Sequence, residues 1–301
     1  MRIAVVGGGP MGSLFAGRLA LAGHGVTLVE VDPARLAQLQ GGGLAINLAG
    51  EALHVDLPCV VPQDLAAGQD MLLLFTKFAA LRPALEGALH GLHAGGAVAA
   101  FANGLGVAEA LDGLIPVASL MLAVTDVAAD LREGVTQSDG SGQVKIGMAD
   151  AAGSVEALAQ LQTCLMQAGF TVIAQSDIRV GIWQKLALNA AFNALSALTD
   201  ARVADLDNGP GRRIAGALLE ETVAVAHAQG IALDRDALAA HIDSAFEHQG
   251  AHRPSMAQDR RAGRKTEIEA INGAIAACGE RLGVPVPVNS TLADLMRLTG
   301  G

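Results

Sequence analysis

The feature that most constrains the fold is a glycine motif close to the amino terminus. The chain opens MRIAVVGGGPMGSLFAGRLALAGH, in which the strand-like run Arg2–Val6 leads directly into Gly7-x-Gly9-x-x-Gly12. An apolar helical pattern over Ser13–Ala22 follows. A strand, a glycine turn and a helix in this order are typical of the phosphate-binding turn of dinucleotide-binding proteins.

The residue types of this turn have mechanical reasons. Gly7 permits a tight turn, Gly9 lets the backbone approach a pyrophosphate, and Gly12 lets the helix pack closely on the strand. Free N–H groups at the start of the helix favour anions, and Pro10 and Met11 complete the predicted phosphate turn. Two alternatives stay open: a secretory signal peptide, and a glycine-rich turn in an ordinary α/β domain.

An acidic residue closes the second predicted strand. That strand covers Val26–Val29, and Glu30 follows it. A carboxylate here accepts hydrogen bonds from both ribose hydroxyls of NAD and repels the 2′-phosphate of NADP. The first basic residue, Arg35, comes five positions later, inside the next predicted helix, which Asp32 caps ahead of Pro33. The sequence therefore favours NAD(H) over NADP(H).

Further strand–loop–helix units follow the glycine motif. The runs Met71–Phe75 and Ala97–Phe101 are continuously apolar, as expected for buried parallel strands, and Leu81–Leu92 is a helical pattern between them. Such repeats predict an α/β fold with a Rossmann-type doubly wound parallel sheet, whose ligands bind at the carboxyl ends of the strands. Lys77, just after the first of these runs, is included in the predicted cofactor site.

The predicted secondary structure changes near residue 175, from a mixture of strands and helices to helices alone. Residues 117–147 indicate a mixed, more β-rich extension, Val155–Ala168 a helix and Phe170–Ala174 a last strand. We therefore predict a dinucleotide-binding domain over residues 1–175 and an all-helical domain over residues 176–301. The predicted helices of the second domain are Asp177–Leu198, Gly211–Gln229, Ala237–His248 and Thr266–Leu282.

Composition and cysteine usage exclude several classes of protein. Thirty acidic residues against 20 basic ones give a formal net charge of -10, which argues against nucleic-acid binding. The sequence contains no run of about 18 uninterrupted apolar residues, so a membrane-spanning helix is not predicted. Three widely spaced cysteines give no zinc motif or disulfide framework, so we expect a reducing, cytoplasmic location and no metal. The absence of tyrosine excludes a tyrosine proton donor.

One apolar helix carries an unusual polar stripe. The segment Gly181–Leu198, GIWQKLALNAAFNALSAL, is apolar nearly all round, which predicts a buried helix. Lys185, Asn189, Asn193 and Ser196 stand at i, i+4, i+8 and i+11 and so share one face. Burying an ammonium is costly unless a partner is present. The stripe therefore either lines a cleft between the domains, where Lys185 meets a substrate anion or oxygen, or faces solvent.

A second unusual segment is SMAQDRRAGRKTEIEAIN, residues 255–272. Its basic cluster, Arg260–Lys265, is interpreted as part of a solvated helix, and no function is assigned to it. We expect that helix to be stabilised by i,i+3 and i,i+4 ion pairs such as Arg264–Glu267 and Lys265–Glu269.

A set of motifs follows in one order along the chain. They are Gly7-x-Gly9-x-x-Gly12, Asn103-Gly104-Leu105-Gly106, Trp183-x-Lys185-Leu186-x-x-Asn189-x-x-x-Asn193, Ser255-Met256-x-Gln258-Asp259 and Gly263-Arg264-x-Thr266-Glu267-Ile268-x-x-Ile271-Asn272-Gly273. Together they resemble the ketopantoate reductase (2-dehydropantoate 2-reductase) family over the whole chain.

The resemblance implies an activity and a set of site residues. It implies a Rossmann domain joined to a helical domain, with reduction of ketopantoate to D-pantoate by NADPH in pantothenate biosynthesis. Lys185 matches the catalytic lysine and Glu267 the active-site glutamate. The helical domain is also a candidate dimerisation domain. The cofactor- and substrate-contacting positions of the family match Asn103, Asn189, Asn193 and Ser255.

Three departures from the family pattern keep alternatives open. Val31 stands where an arginine often holds the NADP 2′-phosphate, and Val203 where some members carry an asparagine. The segment Ser119–Asp126 also lacks a clear run of small residues. One alternative is an NAD-dependent D-2-hydroxyacid dehydrogenase acting on a branched or aromatic 2-oxo acid. The others are a β-hydroxyacid-type dehydrogenase and a non-catalytic dinucleotide sensor.

Overall fold

The strand-rich and helix-rich parts of the sequence form two units in a computed structural model of the chain. The structure describes residues 1–248, 250 and 252–300. The first unit consists of Met1–Ala102 and Val107–Ile178, and the second of Asn103–Gly106 and Arg179–Gly301. The sequence did not predict that the short Asn103–Gly106 segment groups with the helical unit.

The first unit alternates strands and helices along the chain. Its strands are β1 Arg2–Val6, β2 Gly25–Val29, β3 Leu44–Leu48, β4 Glu51–Val55, β5 Cys59–Val60, β6 Gln69–Leu74, β7 Leu92–Ala100, β8 Leu120–Thr125, β9 Asp130–Arg132, β10 Val135–Ser138, β11 Gln143–Met148 and β12 Thr171–Ala174. Its α-helices are α1 Pro10–Leu21, α2 Pro33–Gly42, α3 Leu81–Ala88, α4 Val107–Ala110 and α5 Val155–Gln167. The predicted helix over Leu81–Leu92 is thus shorter than expected and ends in a 3₁₀ turn, Leu89–Gly91.

Among the described residues, the main sheet has eight strands in the order β12-β11-β8-β7-β6-β1-β2-β5. Six of them, from β8 to β5, are parallel, which confirms the predicted Rossmann-type sheet. At one edge the sheet departs from the parallel pattern, because β11 pairs antiparallel with β8 and β12 pairs parallel with β11. A parallel pairing needs a crossover, usually a helix, and only short strands separate β8 from β11.

A smaller sheet has the order β4-β3-β10-β9. Part of this sheet comes from the β-rich extension predicted over residues 117–147. Its other strands, β3 and β4, were not predicted. The sheet packs closely on α1, since a Cβ added at Gly17 would lie 2.2 Å from the Ile46 side chain. In the core of the first unit, the rings of Phe15 and Phe170 stack at 4.1 Å between centroids, and those of Phe75 and Phe101 at 4.3 Å.

The second unit is helical around its own core. Its α-helices are α6 Ile178–Thr199, α7 Gly209–Ala228, α8 Arg235–His248, α9 Ser255–Arg261, α10 Asn272–Leu282 and α11 Pro287–Leu298. The core contains Trp183 and Leu186 of α6 together with Leu218 of α7 and Ile275 of α10. None of the described helices is long and apolar enough to span a membrane.

The prediction of one helix over Thr266–Leu282 is wrong. The chain turns after α9 at Gly263, whose φ of 65° is a left-handed conformation that favours glycine. A 3₁₀ turn, Ile268–Ala270, then precedes α10. The segment from 255 to 272 is therefore not a continuous surface helix. Arg264 of the basic cluster forms an ion pair with Asp259, at 2.9 Å between Nε and Oδ1.

Candidate functional site

The predicted nucleotide-binding residues of the first unit meet at one edge of the main sheet. Because β1, β2 and β6 are parallel, their carboxyl ends lie at the same edge. The glycine motif follows β1, Glu30 follows β2 and Lys77 follows β6. Since β1 lies between β2 and β6, this edge is a topological switch point, where ligands bind in open α/β sheets.

The three glycines of the motif differ in what surrounds them. Gly7 has a φ of 110°, and a Cβ there would lie 2.7 Å from the Phe75 carbonyl oxygen. A Cβ at Gly12 would lie 1.8 Å from the Gly7 carbonyl oxygen. The chain itself thus requires glycine at both positions, as predicted for the tight turn and the close packing. A Cβ at Gly9 would meet nothing within 4 Å.

The open space at Gly9 lies at the start of α1. Gly9 is the N-cap of the helix and Pro10 its first residue, and no side chain caps the helix start. Its first turn, which includes Met11 and Gly12, holds no acidic residue. Uncapped N–H groups at a helix start favour an anion. The turn therefore fits the pyrophosphate of a dinucleotide.

Glu30 is buried, and backbone amides hold its carboxylate. Oε2 accepts a hydrogen bond from the Gly8 N–H at 2.9 Å, and Oε1 accepts from the Val31 and Asp32 N–H groups at 2.7 and 2.8 Å. A Cβ at Gly8 would lie 2.6 Å from Oε2. Gly8 was not among the predicted site residues, although the run of three glycines from Gly7 to Gly9 was a visible signal. The adjacent Val31 is 72% exposed.

The helix after Glu30 begins as predicted. The Asp32 carboxylate accepts the Arg35 N–H at 2.7 Å and caps α2, which has Pro33 in its first turn. Arg35 lies in α2 and extends back to the glycine turn, where its Nε donates to the Gly8 carbonyl oxygen at 3.1 Å. That contact was not predicted from the sequence. Lys77 is exposed just before the 3₁₀ turn Phe78–Ala80.

The polar stripe of α6 becomes more buried along the helix. Lys185 and Asn189 are half-buried, whereas Asn193 and Ser196 are buried. The Ser196 hydroxyl donates to the Ala201 carbonyl oxygen just beyond the helix. Ser196 thus has a structural role at the helix end. The residues of the stripe that remain candidates for binding or catalysis are Lys185, Asn189 and Asn193.

Two motif residues far apart in the sequence meet within the second unit. Asn103 Nδ2 donates to Glu267 Oε2 at 3.1 Å. The backbone beside them is also joined, because the Leu105 N–H donates to the Ala270 carbonyl oxygen at 3.0 Å. Gly104 makes this approach possible: its φ is 95°, and a Cβ there would lie 2.3 Å from the same oxygen. An amide and a carboxylate are thereby fixed together.

The neighbouring carboxylate, Glu269, has a different partner. Its two oxygens accept hydrogen bonds from Arg297 Nε and a terminal nitrogen at 2.7 and 2.6 Å. These bonds lower the pKa of Glu269 and raise that of Arg297. Glu269 therefore ties the 3₁₀ turn to α11, whereas Glu267 holds Asn103. Ser255, the remaining predicted residue, is exposed at the start of α9.

A buried network behind α6 was not predicted. Asn272 Nδ2 donates to the Ala190 carbonyl oxygen at 3.3 Å and to Asn289 Oδ1 at 3.0 Å. Asn289 in turn donates to the Glu221 carboxylate through its N–H at 2.9 Å and its Nδ2 at 2.8 Å. Ala190 directly follows Asn189, so this network fixes the stripe helix from its buried side.

Comparisons with known proteins agree with this arrangement. The family description "Ketopantoate reductase PanE/ApbA" matches residues 3–151, and "Ketopantoate reductase PanE/ApbA C terminal" matches residues 177–299. A 2-dehydropantoate 2-reductase of Lactococcus lactis subsp. lactis (strain IL1403) is 27% identical over 303 residues, which cover 98% of this chain and 97% of the relative.

Two solved structures are similar over the full length. A D-mandelate dehydrogenase in a ternary structure with NADH and anilino(oxo)acetate has a TM-score of 0.93 and 28% identity, covering 99% of this chain and 98% of that one. A ketopantoate reductase of the PanE/ApbA family from Ralstonia eutropha JMP134 has a TM-score of 0.90 and 30% identity, with the same coverage.

The fold, the glycine turn and these relatives define a class of protein, the nicotinamide-dependent oxidoreductases with a Rossmann unit and a helical unit. Within that class, the chain belongs to the ketopantoate reductase family.

Proposed function

We propose that this chain reduces a 2-oxo acid to the corresponding 2-hydroxy acid with NADH. The observation that carries the proposal is the hydrogen bond between Asn103 and Glu267, because it joins two family motifs that lie 164 positions apart. A non-catalytic sensor has no need for a carboxylate held against an amide, nor for a lysine placed in an apolar helix. The chain has only four lysines, and Lys185 lies in its most apolar helix.

The roles of the residues follow from their chemistry. The nicotinamide, when bound, supplies a hydride to C2 of the oxo acid. Lys185 stabilises the negative charge that develops on the C2 oxygen and gives it a proton. Asn189, Asn193 and Ser255 bind the substrate carboxylate and hydroxyl groups without adding charge. Glu267, held by Asn103, orients Lys185 or binds a substrate hydroxyl.

The cofactor residues lie in the first unit. Gly9 and the start of α1 receive the pyrophosphate, together with Gly7, Pro10, Met11 and Gly12 of the turn. Lys77 is a further proposed contact. Glu30 accepts hydrogen bonds from the adenosine ribose hydroxyls. NADH is preferred over NADPH because a 2′-phosphate would face the Glu30 carboxylate and an exposed Val31, with no arginine at that position.

Ketopantoate is the first candidate substrate, with D-pantoate as product and pantothenate biosynthesis as the pathway. This choice is supported by the family match and by the curated relative from L. lactis. A branched or aromatic 2-oxo acid is the second candidate. It is supported by Val203, a buried apolar residue where some family members carry asparagine, and by the likeness to a D-mandelate dehydrogenase.

The test is a screen of 2-oxo acids, ketopantoate and phenylglyoxylate included, with NADH and with NADPH. Turnover of at least one acid supports the proposal, and the ranking of kcat/KM assigns the substrate. Binding of NADH with no turnover of any acid would favour the sensor. A homodimer and a cytoplasmic location also stay predictions, which sedimentation and cell fractionation test.

A further inference from the structure

Arg35 of α2 makes a set of contacts that the proposed reaction does not use. Its Nε donates to the Gly8 carbonyl oxygen at 3.1 Å, and one terminal nitrogen donates to Ser13 Oγ at 3.0 Å. The other terminal nitrogen donates to Gln38 Oε1 at 2.9 Å and to the Gly134 carbonyl oxygen at 3.2 Å. All three guanidinium nitrogens are therefore engaged within the first unit.

These contacts converge on one peptide group. The Gly8 carbonyl oxygen accepts from Arg35 and also from the Ser13 hydroxyl, at 3.0 Å. On the other side of the residue, the Gly8 N–H donates to Glu30. Gly8 is therefore fixed at both its N–H and its C=O, although glycine is the residue with the greatest backbone freedom.

Fixing the Gly8 carbonyl also fixes the next amide. In a planar trans peptide, the C=O of one residue and the N–H of the next point in opposite directions, and the described peptide bonds are all trans. The Gly8 carbonyl points toward Arg35 and Ser13, so the Gly9 N–H points away from them. The Cα of Gly9 also borders open space, since a Cβ added there would meet nothing within 4 Å.

We propose that Arg35 is a positioning residue, which holds the Gly8–Gly9 peptide so that the Gly9 N–H faces the bound cofactor pyrophosphate. This inference rests on the proposed nicotinamide-dependent function. Arg35 acts through the backbone and does not read the 2′-phosphate of NADP, because its nitrogens already bind Gly8, Ser13, Gln38 and Gly134.

The two roles for an arginine near this turn make different predictions for binding. A residue that reads the 2′-phosphate affects NADPH alone, whereas a residue that orients the pyrophosphate donor affects NADH and NADPH equally. The experiment is a fluorescence titration of NADH and of NADPH against the wild type, Arg35→Met and Arg35→Lys. Thermal unfolding of each variant without cofactor is measured in parallel.

We expect Arg35→Met to raise Kd by about tenfold for both cofactors, because the Gly8 carbonyl loses a charged donor and the peptide can rotate. Arg35→Lys retains the positive charge but replaces the planar guanidinium with one ammonium group. Its Kd values should therefore fall between those of the wild type and of Arg35→Met. The matched control is Arg82→Met. Arg82 lies on α3, another helix of the same unit, and also donates to two backbone carbonyls, those of Ala110 and Asp112.

Several outcomes overturn the inference. A loss confined to NADPH would make Arg35 a reader of the 2′-phosphate, and an unchanged Kd for both cofactors would leave it no role in binding. If Arg35→Met does not fold, Ser13→Ala removes the other donor to Gly8 and should raise both Kd values by about threefold. A wild type that binds neither cofactor would refute the proposed function itself, a result distinct from an unaffected variant.

Discussion

Asn103 and Glu267 are joined by a hydrogen bond of 3.1 Å within the helical unit, although one follows a strand of the sheet and the other precedes a turn near the end of the chain. Beside this pair, the Gly104 backbone packs directly against Ala270. The backbone of the loop therefore helps to hold Asn103 and Glu267 together. The amide thereby fixes which way the Glu267 carboxylate points.

Replacing Glu267 by glutamine keeps the shape of the side chain and removes its charge. We expect kcat/KM for the oxo acid to fall by about 10- to 100-fold, while the Kd for NADH stays unchanged, because the carboxylate acts on Lys185 or the substrate. Steady-state kinetics and a binding titration on the same preparation measure both quantities.

The matched control for this variant is Glu269→Gln. Glu269 lies two positions further on, is exposed, and pairs with Arg297 on α11. Its loss should leave kcat/KM within about twofold, as is usual for exposed ion pairs. Equal losses in the two variants would mean that the turn is merely destabilised and that Glu267 has no specific role.

Lys185 is the expected proton donor. Lys185→Ala should lower kcat by about 10²- to 10⁴-fold, the usual range for a general acid, with the Kd for NADH retained. Lys145→Ala, on β11 of the other unit, is the control. Near-wild-type turnover by the Lys185 variant would remove this lysine from the mechanism.

Gly8 should tolerate no side chain. In Gly8→Ala the new Cβ would lie 2.6 Å from Glu30 Oε2, so the carboxylate must move away from the ribose site. We expect the Kd for NADH to rise by about tenfold or more, through loss of charge-assisted hydrogen bonds. Gly41→Ala is the control, because a Cβ there meets nothing within 4 Å. Equal affinities in the two variants would contradict the role given to Glu30.

The Arg297–Glu269 pair predicts a small pH dependence of stability. Arg297 lowers the pKa of Glu269, so the pair stabilises the fold above the unfolded carboxyl pKa, about 4.3, and the stabilisation is lost as pH falls through the lower folded pKa. Because both side chains are largely exposed, we expect only about 0.5 kcal/mol. Urea unfolding of wild type and Arg297→Gln should differ at pH 7, and the difference should shrink as the pH falls below about 4.3. A difference that does not shrink at acid pH would point to packing.

The fold was largely predictable because its signals are local. Strand Arg2–Val6 was predicted to the residue, and the glycine turn and the Asp32 cap were predicted from residue type alone. The antiparallel β11 and the small sheet were missed because strand direction depends on connections that periodicity does not reveal. The break at Gly263 was missed because a glycine inside a helical pattern does not by itself reveal its φ.

The candidate site was predictable only in its residue types. The motifs identified Asn103 and Glu267 as site residues, but they did not predict that the two side chains are in contact. The roles of Gly8, Arg35 and Asn272 were not predicted, because they depend on contacts between groups that are distant in sequence. Such contacts arise from tertiary packing and leave no spacing pattern. Ser196 shares the face of Lys185 by helical spacing, yet the structure uses its hydroxyl at the helix end.

The measurement that tests the account most directly is kcat/KM for the best 2-oxo acid of the panel, determined with NADH and with NADPH. We expect turnover with a clear preference for NADH, and loss of that preference in Glu30→Ala. A strong preference for NADPH in the wild type would contradict the role of Glu30. No turnover of any 2-oxo acid with either cofactor would contradict the proposed reaction.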